Sequence, residues 1–213
     1  MGLKRSESPE LHSPTLESFK EIKPESNIMA CDARQYWDDF FQKEITSEQC
    51  DCLYTTREDR VKFAEHSDGE WSGEPGNSKF SPTDKTEGGR LASRILCEKD
   101  LDGIEFKDGI PDFSPLAVEI VSIDMTSDRP ENYSRAYGAL RDRWNAEAKD
   151  GRTDWTKRDV MEWKQDNHLS PHECSDMKTV MFIPTDVHEM VKHYGGRAEC
   201  KARDDAMGGV FDE

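Results

Sequence analysis

Four of the six histidines lie within 26 residues towards the C-terminal end of the chain, which concentrates metal-binding side chains in one segment. They are His168, His172, His188 and His193. Imidazole is a frequent ligand of divalent ions, and a site with three protein ligands keeps positions open for water and phosphate. A hairpin folded against a helix can bring His172, His188 and His193 close together. This spacing fits a catalytic metal site better than a closed structural one.

Spacing alone leaves a second interpretation open for individual histidines. His168 fits a solvated surface residue. His193 also fits a cation near the C-terminal end of a helix, where its charge interacts favourably with the helix dipole. Glu173 directly follows His172, and adjacent residues of a strand point to opposite faces. The carboxylate is therefore expected on the other side of the strand from the imidazole.

A strand, a turn, a second strand and a helix are the elements predicted to position these side chains. Two short strands flank a turn at residues 175–178. Residues 184–186 begin a helix, and its end is predicted at the glycine pair 195–196. His188 is expected on this helix and His193 near its C-terminal end.

Upstream segments are predicted to pack against this unit. Residues 132–149 are good helix formers with an apolar face. Another helix follows Thr156, whose hydroxyl can cap it with Asp159 three positions on. Strands are expected within residues 103–123, around an Asp-Gly turn, and residues 67–89 are predicted to be a loop. The predicted fold class is α+β, with the ββα unit packed on the first helix and these strands.

The charge of the chain is unevenly distributed. The 213 residues carry a formal net charge of −16, which disfavours a nucleic-acid partner because such binding depends on basic residues. Residues 129–203, however, contain 14 basic and 13 acidic residues, whereas the first 128 contain 15 basic and 28 acidic ones. The acidity therefore lies mainly outside the histidine segment.

Composition also bears on location and on the N-terminal segment. The chain has no run of 18 apolar residues and no apolar stretch at its start, which disfavours a transmembrane protein and export by a signal peptide. Residues 1–30 are predicted to be a flexible leader, and residues 34–45 an amphipathic helix. The scattered cysteines suit reduced thiols, and a partial metal site at Cys31, Cys50 and Cys52 stays open.

Five co-linear segments resemble the C-terminal nuclease domain of bacterial polymorphic toxins in the HNH/endonuclease VII superfamily, also called the ββα-metal or His-Me finger. They are EWSGEPGNSKFSP (70–82), DGIEFKDGIPDFSPLAV (102–118), MTSDRPENYSRA (125–136), WTKRDVMEWKQDN (155–167) and HLSPHECSDMKTVMFIPTDVHEMVKHYGG (168–196). The resemblance implies a ββα-metal finger packed on helices and a small antiparallel sheet. The implied organisation is a leader (1–30), a helical extension of unknown role (31–69), the nuclease domain (70–203) and an acidic tail (204–213).

The resemblance also implies roles for individual residues. His172 and Glu173 would be catalytic, and His172, His188 and His193 would bind one divalent ion, with Mg, Zn, Ni and Mn all compatible. Where the family has two adjacent histidines, the second activates water. Glu173 stands in that place here, so either Glu173 or His172 is the general base. Pro171 departs from the family pattern, which usually has an aromatic residue at this position.

The activity implied is a metal-dependent DNA endonuclease with little sequence preference, acting as a bacterial toxin. The expected partners are DNA and a cognate immunity protein, with no membrane segment. The protein would be cytoplasmic in the producer and delivered into the cytoplasm of a target cell. Candidate phosphate contacts are Arg129, Arg135, Lys178, Lys192 and Arg197. The alternatives are an RNase of the same fold and a catalytically silent module that binds structural zinc.

Overall fold

The computed structural model describes residues 53–208, and this range contains six helices and seven strands. The elements are α1 (Arg57–Ala64), β1 (Gly69–Trp71), β2 (Phe80–Pro82), α2 (Glu87–Glu98), β3 (Phe106–Lys107), β4 (Ile110–Pro111), β5 (Glu119–Ser122), α3 (Arg129–Ala146), α4 (Lys157–Asp166), β6 (Leu169–Glu173), β7 (Thr179–Pro184), α5 (Thr185–Glu189) and α6 (Gly196–Gly208). The predicted α+β class is confirmed. The predictions for residues 1–30 and 34–45 and for Cys31, Cys50 and Cys52 lie outside the described residues.

A three-stranded antiparallel sheet, ordered β5-β7-β6, forms the centre of the described fold. The central strand β7 is apolar on both faces, as expected for a strand covered on both sides. Met181 and Ile183 enter one core cluster, whereas Val180 and Phe182 enter the other. The sheet therefore separates two hydrophobic cores, and β6 and β7 form the hairpin that the sequence predicts.

Two tight turns follow from local sequence signals. Asp176 closes the turn between β6 and β7, because its Oδ1 accepts the backbone N–H groups of Lys178 at 3.0 Å and Thr179 at 2.9 Å. Asp108 and Gly109 join β3 to β4 with φ angles of 53° and 79°. A two-residue hairpin turn favours such positive φ angles, and Asp-Gly adopts them readily. Both predicted turns are confirmed.

The helices α3 and α4 cover one face of the sheet. The helix α3 begins a few residues before its predicted start, because Asp128 caps it by accepting the Glu131 N–H at 2.8 Å. Thr156 and Asp159 form the predicted capping box of α4. Within residues 53–208 no helix is long and apolar enough to cross a membrane.

The loop predicted over residues 67–89 is wrong in part. It contains the short strands β1 and β2, which pair antiparallel with Trp71 opposite Phe80. The two rings lie 5.2 Å apart, and Phe80 is fully buried. Aromatic pairing across the strands thus orders a segment whose Gly, Pro and Ser content favours turns.

The prediction of a single helix from residue 184 to the glycine pair 195–196 is also wrong. The helix α5 ends at Glu189, residues 190–195 form a loop, and Gly196 begins α6. A Cβ atom on Gly195 would lie 2.5 Å from the Glu173 carbonyl oxygen, and one on Gly196 would clash with the Cys174 carbonyl oxygen. The glycines are therefore required for close packing against the end of β6, and they do not terminate a helix. His193 consequently lies in a loop.

Candidate metal centre

The three predicted histidine ligands reach one point from three different elements. His172 is buried on β6, His188 lies on α5, and His193 lies in the loop between α5 and α6. Each offers a ring nitrogen, and these nitrogens all lie within 4.8 Å of one another. The structure therefore brings together His172, His188 and His193, as their spacing predicts. His168 lies outside this group and is exposed.

A hydrogen bond fixes the protonation of the His193 ring. Its Nδ1 lies 3.1 Å from the Val191 carbonyl oxygen. A carbonyl can only accept, so Nδ1 carries the hydrogen and the lone pair of the neutral ring is on Nε2. That Nε2 atom lies 3.2 Å from His172 Nδ1. The lone pair therefore points into the cluster, as a metal ligand requires.

Burial keeps all three imidazoles neutral at physiological pH. Burial and, to a smaller extent, the nearby Arg129 charge lower the pKa of His188 to about 4. Burial, followed by the neighbouring His188 and with a smaller effect of Arg129, lowers the pKa of His193 to about 3. Burial and the two neighbouring imidazoles hold the pKa of His172 well below its ordinary value. Divalent ions bind neutral imidazole, so the donor set fits such an ion without first having to lose protons.

Phe113 is a residue of the centre that spacing arguments did not identify. Its ring centroid lies 4.8 Å from that of His172, 5.7 Å from that of His188 and 5.5 Å from that of His193. Its side chain is almost completely buried. Phe113 thus forms an apolar floor that fixes the three ring planes. The only signal for it in the sequence is the stiff Pro-Asp-Phe-Ser-Pro segment.

Glu173 lies next to the cluster but does not take part in it. Its carboxylate is buried, with Oε1 accepting from Asn132 Nδ2 at 2.6 Å and Oε2 from Arg129 Nε at 3.2 Å. Asn132 is itself fully buried, and Nδ2 also donates to the Thr126 carbonyl at 2.8 Å. Both carboxylate oxygens are therefore oriented by the first turn of α3.

The predicted phosphate contacts are distributed unevenly around the centre. Arg129 is about half exposed, and its charge acts on both His188 and His193. Lys192 is exposed and directly precedes His193. These two cations flank the site.

The other three predicted contacts lie elsewhere. Arg135 donates to the Asp124 carbonyl and pairs with Glu131 at 2.5 Å. Lys178 lies at the β6–β7 turn. Arg197 Nε donates to the Ser127 carbonyl at 3.1 Å. Burial raises the pKa of Tyr133, and the charges of Arg129, Glu173 and Arg197 also influence this pKa. Arg197 therefore lies nearer to the carboxylate side of the site.

Comparison with protein families supports a nuclease toxin domain in this part of the chain. The family whose model matches is described as the DNase/tRNase domain of colicin-like bacteriocin, and it matches residues 103–195. The matched range contains all three clustered histidines, Phe113, Glu173 and Arg129. No match was found among curated proteins or among solved structures.

Proposed function

We propose that this chain is a metal-dependent endonuclease that hydrolyses phosphodiester bonds in DNA with little sequence preference. The observation that carries the proposal is the convergence of three neutral imidazoles, with ring nitrogens within 4.8 Å of one another, beside a buried carboxylate. This arrangement lies inside the range that matches the DNase/tRNase family. The order β6, β7, α5 is that of an HNH-type ββα-metal finger, so we assign the site to that class.

In this proposal His172, His188 and His193 hold one divalent ion. When bound, the ion supplies positive charge that stabilises the transition state and the leaving oxygen. The closed apolar floor formed by Phe113 keeps the imidazoles in one arrangement. Three protein ligands suit a catalytic site better than a structural one, because positions remain for phosphate and water.

Glu173 is the general base of the proposed reaction. The three imidazoles face one another, whereas the carboxylate of Glu173 is held apart from them by Asn132 and Arg129. A water oxygen attacks phosphorus in line, its proton passes to the carboxylate, and the bond from phosphorus to the 3′ oxygen breaks as that oxygen takes a proton from solvent water. The carboxyl group then returns its proton to solvent. The products are a 5′ phosphate and a 3′ hydroxyl.

Arg129 and Lys192 are the phosphate contacts that the geometry favours. Arg129 uses only Nε to hold Glu173, which leaves its two terminal nitrogens available to a phosphate group. Contacts to phosphate position the backbone and carry no sequence information, which agrees with a non-specific nuclease. Arg135, Lys178 and Arg197 would contribute less, because none of them flanks the histidines.

An RNase is the second candidate, since the description of the matching family includes tRNase as well as DNase. A catalytically silent zinc module is the third, because three histidines can also hold a structural ion. As a colicin-like toxin, the protein would be delivered into the cytoplasm of a target cell. A cognate immunity protein would bind it in the producer.

Plasmid nicking tests this proposal directly. Wild type, His172→Ala and His188→Ala would be compared with Mg²⁺, Ni²⁺ or Zn²⁺, each with and without EDTA, on supercoiled DNA and on tRNA. We expect the wild type alone to nick DNA, and only with metal. Cleavage that persists in both variants would exclude this site. Absence of cleavage with every metal would favour the silent module, and cleavage of tRNA alone would favour the RNase.

A further inference from the structure

The loop that carries His193 has no regular structure to hold it. Residues 190–195 lie between α5 and α6, outside any helix or strand. The Val191 N–H donates to the His188 carbonyl at a long distance of 3.4 Å. The next backbone hydrogen bond along this region is donated by the Ala198 N–H to the Gly195 carbonyl. The position of the His193 ring therefore depends on tertiary contacts made by its neighbours.

Both chain neighbours of His193 contact α1 and the turn after it. The Lys192 N–H donates to Ser67 Oγ at 2.9 Å, across 125 residues of sequence. The Tyr194 ring stacks on Phe63, with centroids 4.9 Å apart and planes 19° apart. Ser67 is buried, and its bond to Lys192 is partly buried.

The same segment also holds the chain just after the loop. Glu199, in the first turn of α6, is completely buried. Its Oε2 accepts the Tyr54 N–H at 2.7 Å and the Thr55 N–H at 2.9 Å, and its Oε1 accepts from the Thr55 hydroxyl. The loop is thus fixed on both sides by residues 54–67.

Residues 54–67 are in turn anchored on the β3–β4 hairpin. Arg60 is buried, with Nε donating to the Asp108 carbonyl at 3.0 Å and Nη1 to the Thr55 carbonyl at 2.5 Å. A Cβ atom on Gly109 would lie 2.5 Å from the Arg60 carbonyl carbon, so the hairpin turn fits closely against α1. The support for the loop is therefore rigid and continuous with the fold.

We infer that residues 54–67 form a clamp that holds His193 in place for metal binding, with Ser67 and Phe63 as positioning residues. The inference rests on the proposed metal centre. The clamp lies outside the matched range 103–195, so the functional unit extends beyond the part of the chain that the family comparison covers. Contacts that orient a ligand commonly contribute to the affinity for the metal ion.

Calorimetric titration of the metal-free full chain with Zn²⁺ tests the clamp. The variants are Ser67→Ala, Phe63→Ala and His188→Ala. His66→Ala is the matched control, because His66 is exposed, adjoins Ser67, and its ring contacts the carbonyl of Lys62 in α1. Loss of a contact that orients a ligand typically weakens binding about 10-fold to 100-fold. We expect a loss in this range for Ser67→Ala and Phe63→Ala, an unchanged thermal unfolding midpoint without metal, and wild-type behaviour for His66→Ala.

The outcomes separate the clamp from the proposed function. Wild-type Zn²⁺ affinity in both Ser67→Ala and Phe63→Ala, together with lost affinity in His188→Ala, would overturn the clamp alone. Wild-type affinity in His188→Ala would overturn the metal centre itself. If Ser67→Ala lowers the unfolding midpoint, the Zn²⁺ affinity of Phe63→Ala alone tests the clamp, because this substitution changes an exposed side chain.

Discussion

Glu173 and its neighbour His172 are adjacent in sequence, and both side chains are buried, but in different surroundings. The imidazole is buried against Phe113 and two other imidazoles. The carboxylate is buried between an amide and a guanidinium. Strand alternation separates the two environments, so one strand end carries both a candidate metal ligand and a carboxylate that accepts hydrogen bonds.

Glu173→Gln should separate the two roles. The amide keeps the size of the side chain but cannot accept a proton, so nicking should fall by about 10²-fold to 10⁴-fold, the usual contribution of a general base. Zn²⁺ affinity should stay within error, because the carboxylate lies outside the histidine cluster. Glu162→Gln, on the exposed face of α4, serves as the control for nicking rate and calorimetry. A large drop in Zn²⁺ affinity in Glu173→Gln would make Glu173 a ligand.

The low pKa of His188 should appear in the stability of the metal-free protein. The folded-state pKa is about 4, whereas the unfolded chain binds a proton near pH 6.5. The unfolded state is therefore favoured as pH falls from 6.5 to 4, and the free energy of unfolding falls with it. Above pH 6.5 the contribution of His188 is constant.

Urea unfolding in EDTA at pH 7.5, 6.0 and 5.0 measures this effect. His188→Gln should lose less stability on acidification than the wild type, by about 2 kcal/mol between pH 7.5 and 5.0. His66→Gln, which changes an exposed histidine, should follow the wild type. Parallel pH profiles for the wild type and His188→Gln would contradict the buried, neutral state of this imidazole.

At the scale of elements, the junction of β6 with the start of α6 is closely packed. Gly195 lies against the last carbonyl of β6, and α6 begins one residue later. A methyl group has no room there unless the backbone moves. Movement of this backbone would shift the loop that precedes it, and with it His193.

Gly195→Ala should therefore destabilise the protein by about 1–3 kcal/mol, the usual cost of overpacking. Gly208→Ala is the matched control, since a Cβ atom there meets nothing within 4 Å. Thermal and urea unfolding of both variants would decide the point. Equal stability of Gly195→Ala and wild type would show that the junction is looser than its geometry indicates.

Elements with a local cause were predictable from sequence, and those with a tertiary cause were not. The capping box at Thr156 and Asp159 and the Asp108-Gly109 turn are each specified by residues a few positions apart. The break of the final helix after Glu189 depends on contacts with β6 that no local pattern contains. The three histidines were identified from spacing and resemblance, whereas the floor residue Phe113 and the clamp residue Ser67 carry no signal of their own.

For the whole molecule, the distribution of charge limits how DNA can be held. The net charge of −16 arises outside residues 129–203. Within residues 53–208, the predicted phosphate contacts that flank the histidines are Arg129 and Lys192. Affinity for DNA should therefore come from a small number of phosphate contacts. Electrostatic attraction at long range should be weak.

The salt dependence of DNA binding measures the number of these contacts. With the two proposed contacts, Arg129 and Lys192, the slope of log K against log salt should be about −2, compared with about −6 to −9 for proteins that make many contacts. Arg129→Gln, in the inactive Glu173→Gln background, should reduce the slope by about one. Arg135→Gln should leave it unchanged, because Arg135 is already paired with Glu131 and the Asp124 carbonyl. Equal slopes for the two variants would remove Arg129 from the set of phosphate contacts.

The bond between Ser67 and Lys192, 125 residues apart, also determines when the site can form during synthesis. Contacts this distant in sequence form late, because the long intervening chain must first be ordered. Glu199, which meets Tyr54 across 145 residues, lies further still towards the C-terminal end. Until Glu199 has left the ribosome, a nascent chain cannot form the contacts that hold the His193 loop in place. Assembly of the centre would thus coincide with folding of the described C-terminal helix α6 onto residues 54–67.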